Sequence, residues 1–521
     1  MRIILLILAL LFSAPALAQP SLLTPLGSPS FDEIRRGVEA LAVSGDPRAA
    51  PVLDALQAGR LLVQPGGALF IRDPGGALVS ADTGAPAEAP DARPVRVNNG
   101  VRRAVDAAMG ALRLFAPEPA VRADAAEAVF KSRDAAALPA LDRAIAQEHD
   151  AGVRQAVQQA RAAAVLATAD ASEADKLGAI ATLRSRGDLD ARALLASLSD
   201  GSPAVTAAAA DAVRGIDWSL RLWGLAQGAF YGLSLGSVLL LAATGLAITF
   251  GVMGVINMAH GEMVMIGAYV TFMVQELIRA HAPGLFGASL FIAIPLAFLV
   301  SGAVGMAIER GLIRFLYGRP LETLLATFGL SLVLQQAIRS IFGPTNREVG
   351  TPAWMSGAGR VGQLTLTYNR VAIIVFAAAV LFGLMAVLRF TPLGLRMRAV
   401  TQNRRMAAAM GIRTGSIDAL TFGLGSGVAG MAGVALSQID NVSPNLGQGY
   451  IIDSFMVVVF GGVGNLWGTA LGALTLGVVN KFLEPVAGAV LGKIVVLVLL
   501  ILFIQRRPRG MFPLKGRAVE T

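Results

Sequence analysis

The feature that most constrains this chain is the series of apolar stretches filling its second half. Stretches at 224–249, 260–278, 284–307, 321–342, 370–389, 415–437 and 486–505 are close to the roughly 20 apolar residues that carry a helix across a bilayer. A further apolar stretch, 450–482, is broken by Gly461-Gly462-Val463-Gly464-Asn465 and reads as two short helices. Only 15% of the residues are charged, against about 25% in soluble proteins, so the chain is not wholly soluble. At 55% hydrophobic it is too apolar for disorder. The expected fold is an all-α polytopic membrane protein of about 8–9 transmembrane segments, some broken, behind an N-terminal soluble, mainly helical domain.

The net charge of +9 resembles a nucleic-acid signal until it is divided along the chain. Residues 1–215 carry 22 Lys/Arg and 24 Asp/Glu; residues 216–521 carry 22 and 11. The excess lies in loops beside apolar spans, so no nucleic-acid partner is expected. Arg2, the apolar run Ile3–Phe12 and the small-residue end Ser13-Ala14-Pro15-Ala16-Leu17-Ala18 describe a signal peptide over 1–18. Cleavage after Ala18 would place the next segment outside the cytoplasmic membrane, and an uncleaved N-terminal anchor is the alternative. Counting spans from that start gives the inside loops fourteen Lys/Arg and the outside loops six, the bias that cytoplasmic loops show. Cysteine is absent, which excludes disulfides, thiolate metal sites and cysteine nucleophiles.

Residues 19–215 are rich in alanine, with helical spacing. Ala137, Leu138, Leu141, Ile145 and Ala146 are expected on one face, and Val153, Ala156, Val157 and Ala160 on another. Breaks at Ser44-Gly45-Asp46-Pro47, Glu148-His149-Asp150, Ser185-Arg186-Gly187-Asp188 and Ser199-Asp200-Gly201-Ser202-Pro203 suggest helix pairs. A small β region is expected near 61–80. His149 reads as a solvated turn residue. No catalytic constellation appears, and the expected role is an interaction module for a binding protein or partner subunit.

In the membrane domain, 216–521, two Gly-rich interruptions each carry an asparagine. One runs Phe250-Gly251-Val252-Met253-Gly254-Val255-Ile256-Asn257-Met258-Ala259-His260-Gly261-Glu262; the other runs Phe460 to Gly468 and holds Asn465. Paired broken helices are the best sequence pointer to a transport route, and polar groups at membrane depth are costly. Asn257, His260, Glu262, Asp453 and Asn465 are therefore the candidate pathway or gating residues. The alternative is that Asn257 caps the next helix while His260 and Glu262 stabilise a turn. Lys493, isolated in the last span, is expected to snorkel. Gly423, Gly427, Gly430 and Gly433 share one face of a span, which suits close helix packing. Neither a metal site nor a cofactor is expected: His260-Gly261-Glu262 lacks metal-pair spacing. Gly488–Ile494 only mimics a phosphate loop, one residue short and without Ser/Thr, so ATP would be handled by another protein.

The loop 391–415 joins Thr391–Ala399 to an Ala-rich helix ending at Gly411-Ile412. Such a helix suits a partner's groove or an anionic lipid surface. Thr391–Ala399 followed by Ala407–Ile412 resembles the cytoplasmic coupling loop of ABC-importer permeases. Asn257-Met258-Ala259-His260-Gly261-Glu262, Met265-Ile266-Gly267-Ala268-Tyr269, Glu309-Arg310, Leu325–Ser331 and Arg507-Pro508-Arg509-Gly510 resemble the signature of the branched-chain amino acid ABC transporter permease family. The resemblance covers 220–515. It implies that Arg398, Ala399, Ala407, Ala408, Gly411 and Ile412 couple the chain to an ATPase. The signal peptide and large N-terminal domain make the chain similar to the B-type urea permease subunits of Gram-negative bacteria within that family.

What the resemblance implies is a non-enzymatic permease subunit of an ATP-driven importer for urea. Its implied partners are a second permease subunit, two ABC ATPase subunits and a periplasmic substrate-binding protein, with lipid around it. Branched-chain amino acids are the alternative substrate, and an ATP-independent channel or secondary transporter the alternative class. A membrane-bound enzyme is poorly supported, because no nucleophile–base pair is visible.

Overall fold

The computed structural model describes residues 22–512 apart from Gly45, Pro47, Pro74 and 199–201. The expected signal peptide, 1–18, and two of the basic residues after the last span, Lys515 and Arg517, lie outside the described residues. The chain divides into two compact units, one up to Leu220 and one from Arg221.

The first unit is helical: α1 (Phe31–Ser44), α2 (Ala49–Gln57), α3 (Asn99–Arg113), α4 (Pro119–Ser132), α5 (Leu138–Gln147), α6 (Ala151–Ala167), α7 (Glu173–Arg186) and α8 (Leu189–Ala196). Four antiparallel strands, β1 (Leu61–Val63), β2 (Leu69–Arg72), β3 (Leu78–Ser80) and β4 (Arg93–Pro94), form a sheet in the order β3-β2-β1-β4. Two of the expected polar breaks, at Asp150 and Asp188, are helix caps, and those at 44–47 and 199–203 lie partly outside the described residues. Asn98, Asp150, Ser172 and Asp188 accept backbone N–H groups at the starts of α3, α6, α7 and α8, satisfying donors that a helix start leaves orphaned. Gly187 ends α7 at φ 69°. A large apolar core runs through the unit, built from short side chains such as Ala126, Ala140, Ala160 and Ala163 around Leu41, Leu53 and Leu141, with a small separate cluster of Leu62, Phe70 and Ala89 at the sheet. The buried face of α5 is Ala137, Ala140, Leu141 and Ala144, whereas Ala146 is exposed. The helical rotation after Ile145 carries Ala146 off that face.

The second unit holds α9 (Pro203–Met253, whose first residues belong to the first unit), α10 (His260–His281), α11 (Ser289–Gly311), α12 (Pro320–Phe342), α13 (Tyr368–Phe390), α14 (Pro392–Gln402), α15 (Arg404–Ala409), α16 (Thr414–Leu436), α17 (Leu446–Gly461) and α18 (Leu466–Arg506). Seven of these are long and apolar enough to cross a membrane, and α17 is a shorter apolar helix. Helix α18 is interrupted at Gly488 (φ 76°, ψ 165°), just after Pro485, and so consists of two helical segments joined at a kink. Proline withholds a helix hydrogen bond and glycine accepts the positive φ, and the two segments correspond to the second half of the interrupted stretch 450–482 and to the expected span 486–505. A hairpin of β5 (Ala358–Val361) and β6 (Leu364–Thr367) precedes α13.

Helix α16 is the hub of this unit. Gly423, Gly427, Gly430 and Gly433 all meet neighbouring elements: a methyl group at Gly427 would lie 2.7 Å from the Phe298 ring, and one at Gly430 would lie 2.6 Å from the Ala297 carbonyl oxygen. The same substituent at Gly433 would collide with the Val264 carbonyl. The glycines thus bring α16 against α11 on one side and α10 on the other, the close approach that small residues permit in lipid.

Candidate functional site

Helix α9 ends at Met253, where Gly254 turns the chain at φ 69°. The next residues run back along the helix they have left. His260 Nε2 lies 2.9 Å from the Ala242 carbonyl oxygen, eleven residues before the end of α9 and so about 16 Å up its axis. Residues 254–257 are irregular and 258–259 form a turn, and together with the reach of the His260 side chain they cover that distance. Helix α10 therefore starts part-way along α9, at a re-entrant break.

Three polar residues are buried at that break. Asn257, His260 and Glu262 are each 1% exposed. Asn257 Oδ1 accepts the Ala259 N–H at 3.0 Å, which stiffens the turn one residue ahead of the α10 cap. Glu262 Oε1 accepts the Ser331 hydroxyl at 2.8 Å and the Gln335 amide at 2.9 Å, both from α12. Met258 N–H donates to Thr327 Oγ1 at 3.1 Å. Asn257 Nδ2, His260 Nδ1 and Glu262 Oε2 have no hydrogen-bond partner among the described residues, an arrangement costly in a dry interior. Thr327 and Ser331 lie within the signature stretch Leu325–Ser331 but were not named as site residues, and Gln335 was not singled out at all; their partners across the helix interface mark them.

The second break meets the first. A methyl group at Gly251 would lie 2.7 Å from Gly464 Cα. Asn465 is the cap of α18: its Oδ1 accepts the N–H groups of Trp467 and Gly468, each at 3.1 Å, and its amide reaches the Phe512 carbonyl at 3.4 Å. Met511 and Phe512 donate to the carbonyls of Phe460 and Gly461, so the segment after α18 closes over this break. Gly510 (φ 73°) touches Gly462 there. At its other end α17 approaches α10 closely, with a methyl group at Gly261 lying 2.5 Å from the Gly447 carbonyl oxygen. Two helix N-termini thus converge beside Glu262. Asp453, further along α17, is buried and pairs with Lys493 Nζ at 2.9 Å, so Lys493 is held by an ion pair rather than merely snorkelling. The site is one cluster, Asn257–His260–Glu262 with α12, and two flanking features, the Asn465 cap and the Asp453–Lys493 pair.

The end of the unit beyond α12 carries a polar cavity of about 330 Å³ lined by Glu348, Asn369, Arg370, Gln438, Asp440 and Asn441, among others. At the opposite end, α14 and α15 form the long loop. Asn403 Oδ1 caps α15 by accepting the Met406 N–H at 2.9 Å. Arg404 Nη1 donates to Asp418 Oδ1, on the first turn of α16, at 3.1 Å, and its guanidinium lies over the Tyr317 ring at 4.1 Å. Ala407 is buried under this contact, and Ala399 and Ile412 are half-buried. Arg398, Ala408 and Gly411 (φ 84°) face outward beside the exposed apolar side chains of Met406 and Met410.

The described residues thus form a bundle of helices long and apolar enough to cross a membrane, around a buried polar break, with an exposed Ala/Met helix at one end and a polar cavity at the other. Residues 228–504 match the family described as the permease component of the branched-chain amino acid transport system. The chain belongs to that family. It is 32% identical over 287 residues to the high-affinity branched-chain amino acid transport system permease protein BraD of Pseudomonas aeruginosa, covering 54% of this chain and 93% of the relative. It is 31% identical over 295 residues to LivH of Salmonella typhimurium and of Escherichia coli, covering 55% of this chain and 94% of each. No solved structure matches the chain.

Proposed function

We propose that this chain is the membrane-spanning subunit of an ATP-driven importer and that its substrate crosses at the re-entrant break before α10. The observation that carries this is the buried Asn257–His260–Glu262 cluster, with three unpartnered polar atoms, inside a unit that matches permeases over nearly their whole length. Route and gate use Asn257, His260 and Glu262; Asp453 and Asn465 hold the flanking helices. The loop 391–415, through Arg398, Ala399, Ala407, Ala408, Gly411 and Ile412, takes up the movement of two ATPase subunits. A second permease subunit completes the path, and a periplasmic binding protein delivers the substrate to the cavity beside Asp440. In this reading the first unit faces the periplasm.

Branched-chain amino acids are the substrate class that the relatives' names support, and they displace urea as the first choice. Urea is the second reading, favoured by one observation: the relatives match little more than half of this chain, and the large first unit lies before the matched residues, which begin at 228.

The test is uptake of labelled leucine and of labelled urea in cells lacking their own carriers, with the complete transporter and with this gene deleted. Gene-dependent leucine uptake that ignores excess urea is the expected result. Urea uptake that ignores leucine would replace the substrate and keep the permease. Uptake that survives loss of the ATPases would overturn the importer.

A further inference from the structure

Helix α12 is buried on the wrong side for a lipid-facing helix held by packing alone. Its buried residues are Thr323, Thr327, Ser331 and Gln335, every one polar and each four residues from the next. The apolar residues Leu321, Leu325, Phe328, Leu332 and Val333 are exposed. Arg339, one step further, donates to Asn445 Oδ1 at 2.5 Å. The stripe from Thr323 to Arg339 is about 24 Å long at 1.5 Å per residue, most of the roughly 30 Å of a hydrocarbon core. One end lies towards the loop 391–415 and the other towards the polar cavity.

Small residues suffice to pack membrane helices, and a buried hydroxyl or amide is costly unless paired. A seam serving only adhesion has no need of five consecutive polar steps. Across the stripe stand Asn257 and Glu262, and each keeps an unpartnered polar atom, Asn257 Nδ2 and Glu262 Oε2. These are groups built to meet a polar visitor. We propose that the Thr323–Arg339 stripe is one wall of the substrate route, and that Ser331 and Gln335, with Glu262 opposite, are the specificity-determining point that reads an N–H-bearing head group. Both an ammonium group and an amide NH₂ satisfy the Glu262 oxygen, so the inference deepens the permease reading without depending on the choice between leucine and urea.

The absence of cysteine from the chain makes the test direct. Each substitution Thr327→Cys, Ser331→Cys, Leu325→Cys or Val333→Cys gives a chain with one thiol. In the full transporter in membranes, with binding protein and ATP, a cationic methanethiosulfonate reagent is expected to label Thr327→Cys and Ser331→Cys and to spare Leu325→Cys and Val333→Cys. Substrate at about ten times its Kd is expected to slow stripe labelling about tenfold, because about a tenth of the sites remain free; leucine and urea are separate arms. Transport by the unsubstituted chain is measured on the same membranes. A transporting complex whose stripe thiols react no faster than Val333→Cys overturns the proposal. Substrate-protected stripe thiols in a complex whose uptake needs no ATPase would leave the wall standing and overturn the importer reading.

Discussion

Glu262 is the residue on which the membrane unit's polar centre turns. Glu262→Ala would strand the Ser331 hydroxyl proton, at a cost of about 1–3 kcal/mol, and leave the Gln335 amide only its 3.2 Å bond to Ser331 Oγ. Expression and uptake are both expected to fall. Glu262→Gln keeps an acceptor oxygen and is expected to restore the amount of folded transporter but not uptake, since the carboxylate is lost; membrane quantification beside uptake separates the two. In the first unit the corresponding residue is Glu148. Arg122 grips its carboxylate through Nε and Nη2 at 2.7 and 2.9 Å. Chiefly because of that bond, and with help from the Asp150 and His149 N–H groups against the opposing effect of burial, its pKa falls from 4.5 to about 2. The bound form is the charged one, so the stabilisation is fully present above pH 4.5 and is lost as the pH falls towards 2. The protection of the α4–α6 amides, corrected for the pH dependence of intrinsic exchange, is expected to fall towards low pH across that window in the native chain and to change much less in Glu148→Gln. An unchanged acid dependence in that variant would refute the assignment.

Among the elements, the helices and their interruptions were legible because their causes are local. Asp150 and Asp188 were legible as breaks and cap the helices after them, Asn98 and Ser172 were not picked out although they cap helices in the same way, and the breaks in the membrane unit appear as glycine-rich runs. The glycine row of α16 was legible as a packing face, and its neighbours are α10 and α11. Here the expected outcome has a sign. Gly430→Ala should lower thermal stability in detergent by about 1–3 kcal/mol through overpacking. Gly383→Ala, on α13 with nothing within 4 Å, should be neutral or gain up to about 1 kcal/mol from helix propensity. Equal effects at the two sites would contradict the hub. The polar face of α12 was not legible although its four-residue spacing is visible, because Ser and Thr inside helices commonly satisfy themselves on their own i−4 carbonyl. Thr327 does so on Thr323. Nothing in the residue types says that Ser331 and Gln335 reach Glu262, 69 and 73 positions earlier in the chain. The partner of Lys493 was not legible for the same reason: Asp453 is forty residues away, beyond any local pattern.

For the membrane unit as a whole, the contacts form a connected line from the long loop to the buried break. Arg404 joins α15 to Asp418 at the foot of α16; the glycine row joins α16 to α10 and α11; and α10 begins at the cluster of His260 and Glu262. Spatial connection alone does not demonstrate coupling, but it makes a specific demand. If ATPase movement enters at α15, the Arg404–Asp418 pair must carry it into α16, because it is a charge-assisted fork between a surface element and a buried carboxylate. Asp418→Asn weakens the fork while keeping the side chain's shape. The expected result is a transporter present in the membrane in near-normal amount, whose ATP hydrolysis continues but no longer rises with substrate and binding protein, and whose uptake falls. Gly411→Asp, at the exposed left-handed turn after α15, should give the same phenotype by disturbing the docking surface itself. An Asp418→Asn complex with normal uptake and normal stimulation would show that the movement enters elsewhere, and the line from loop to break would then be packing without transmission.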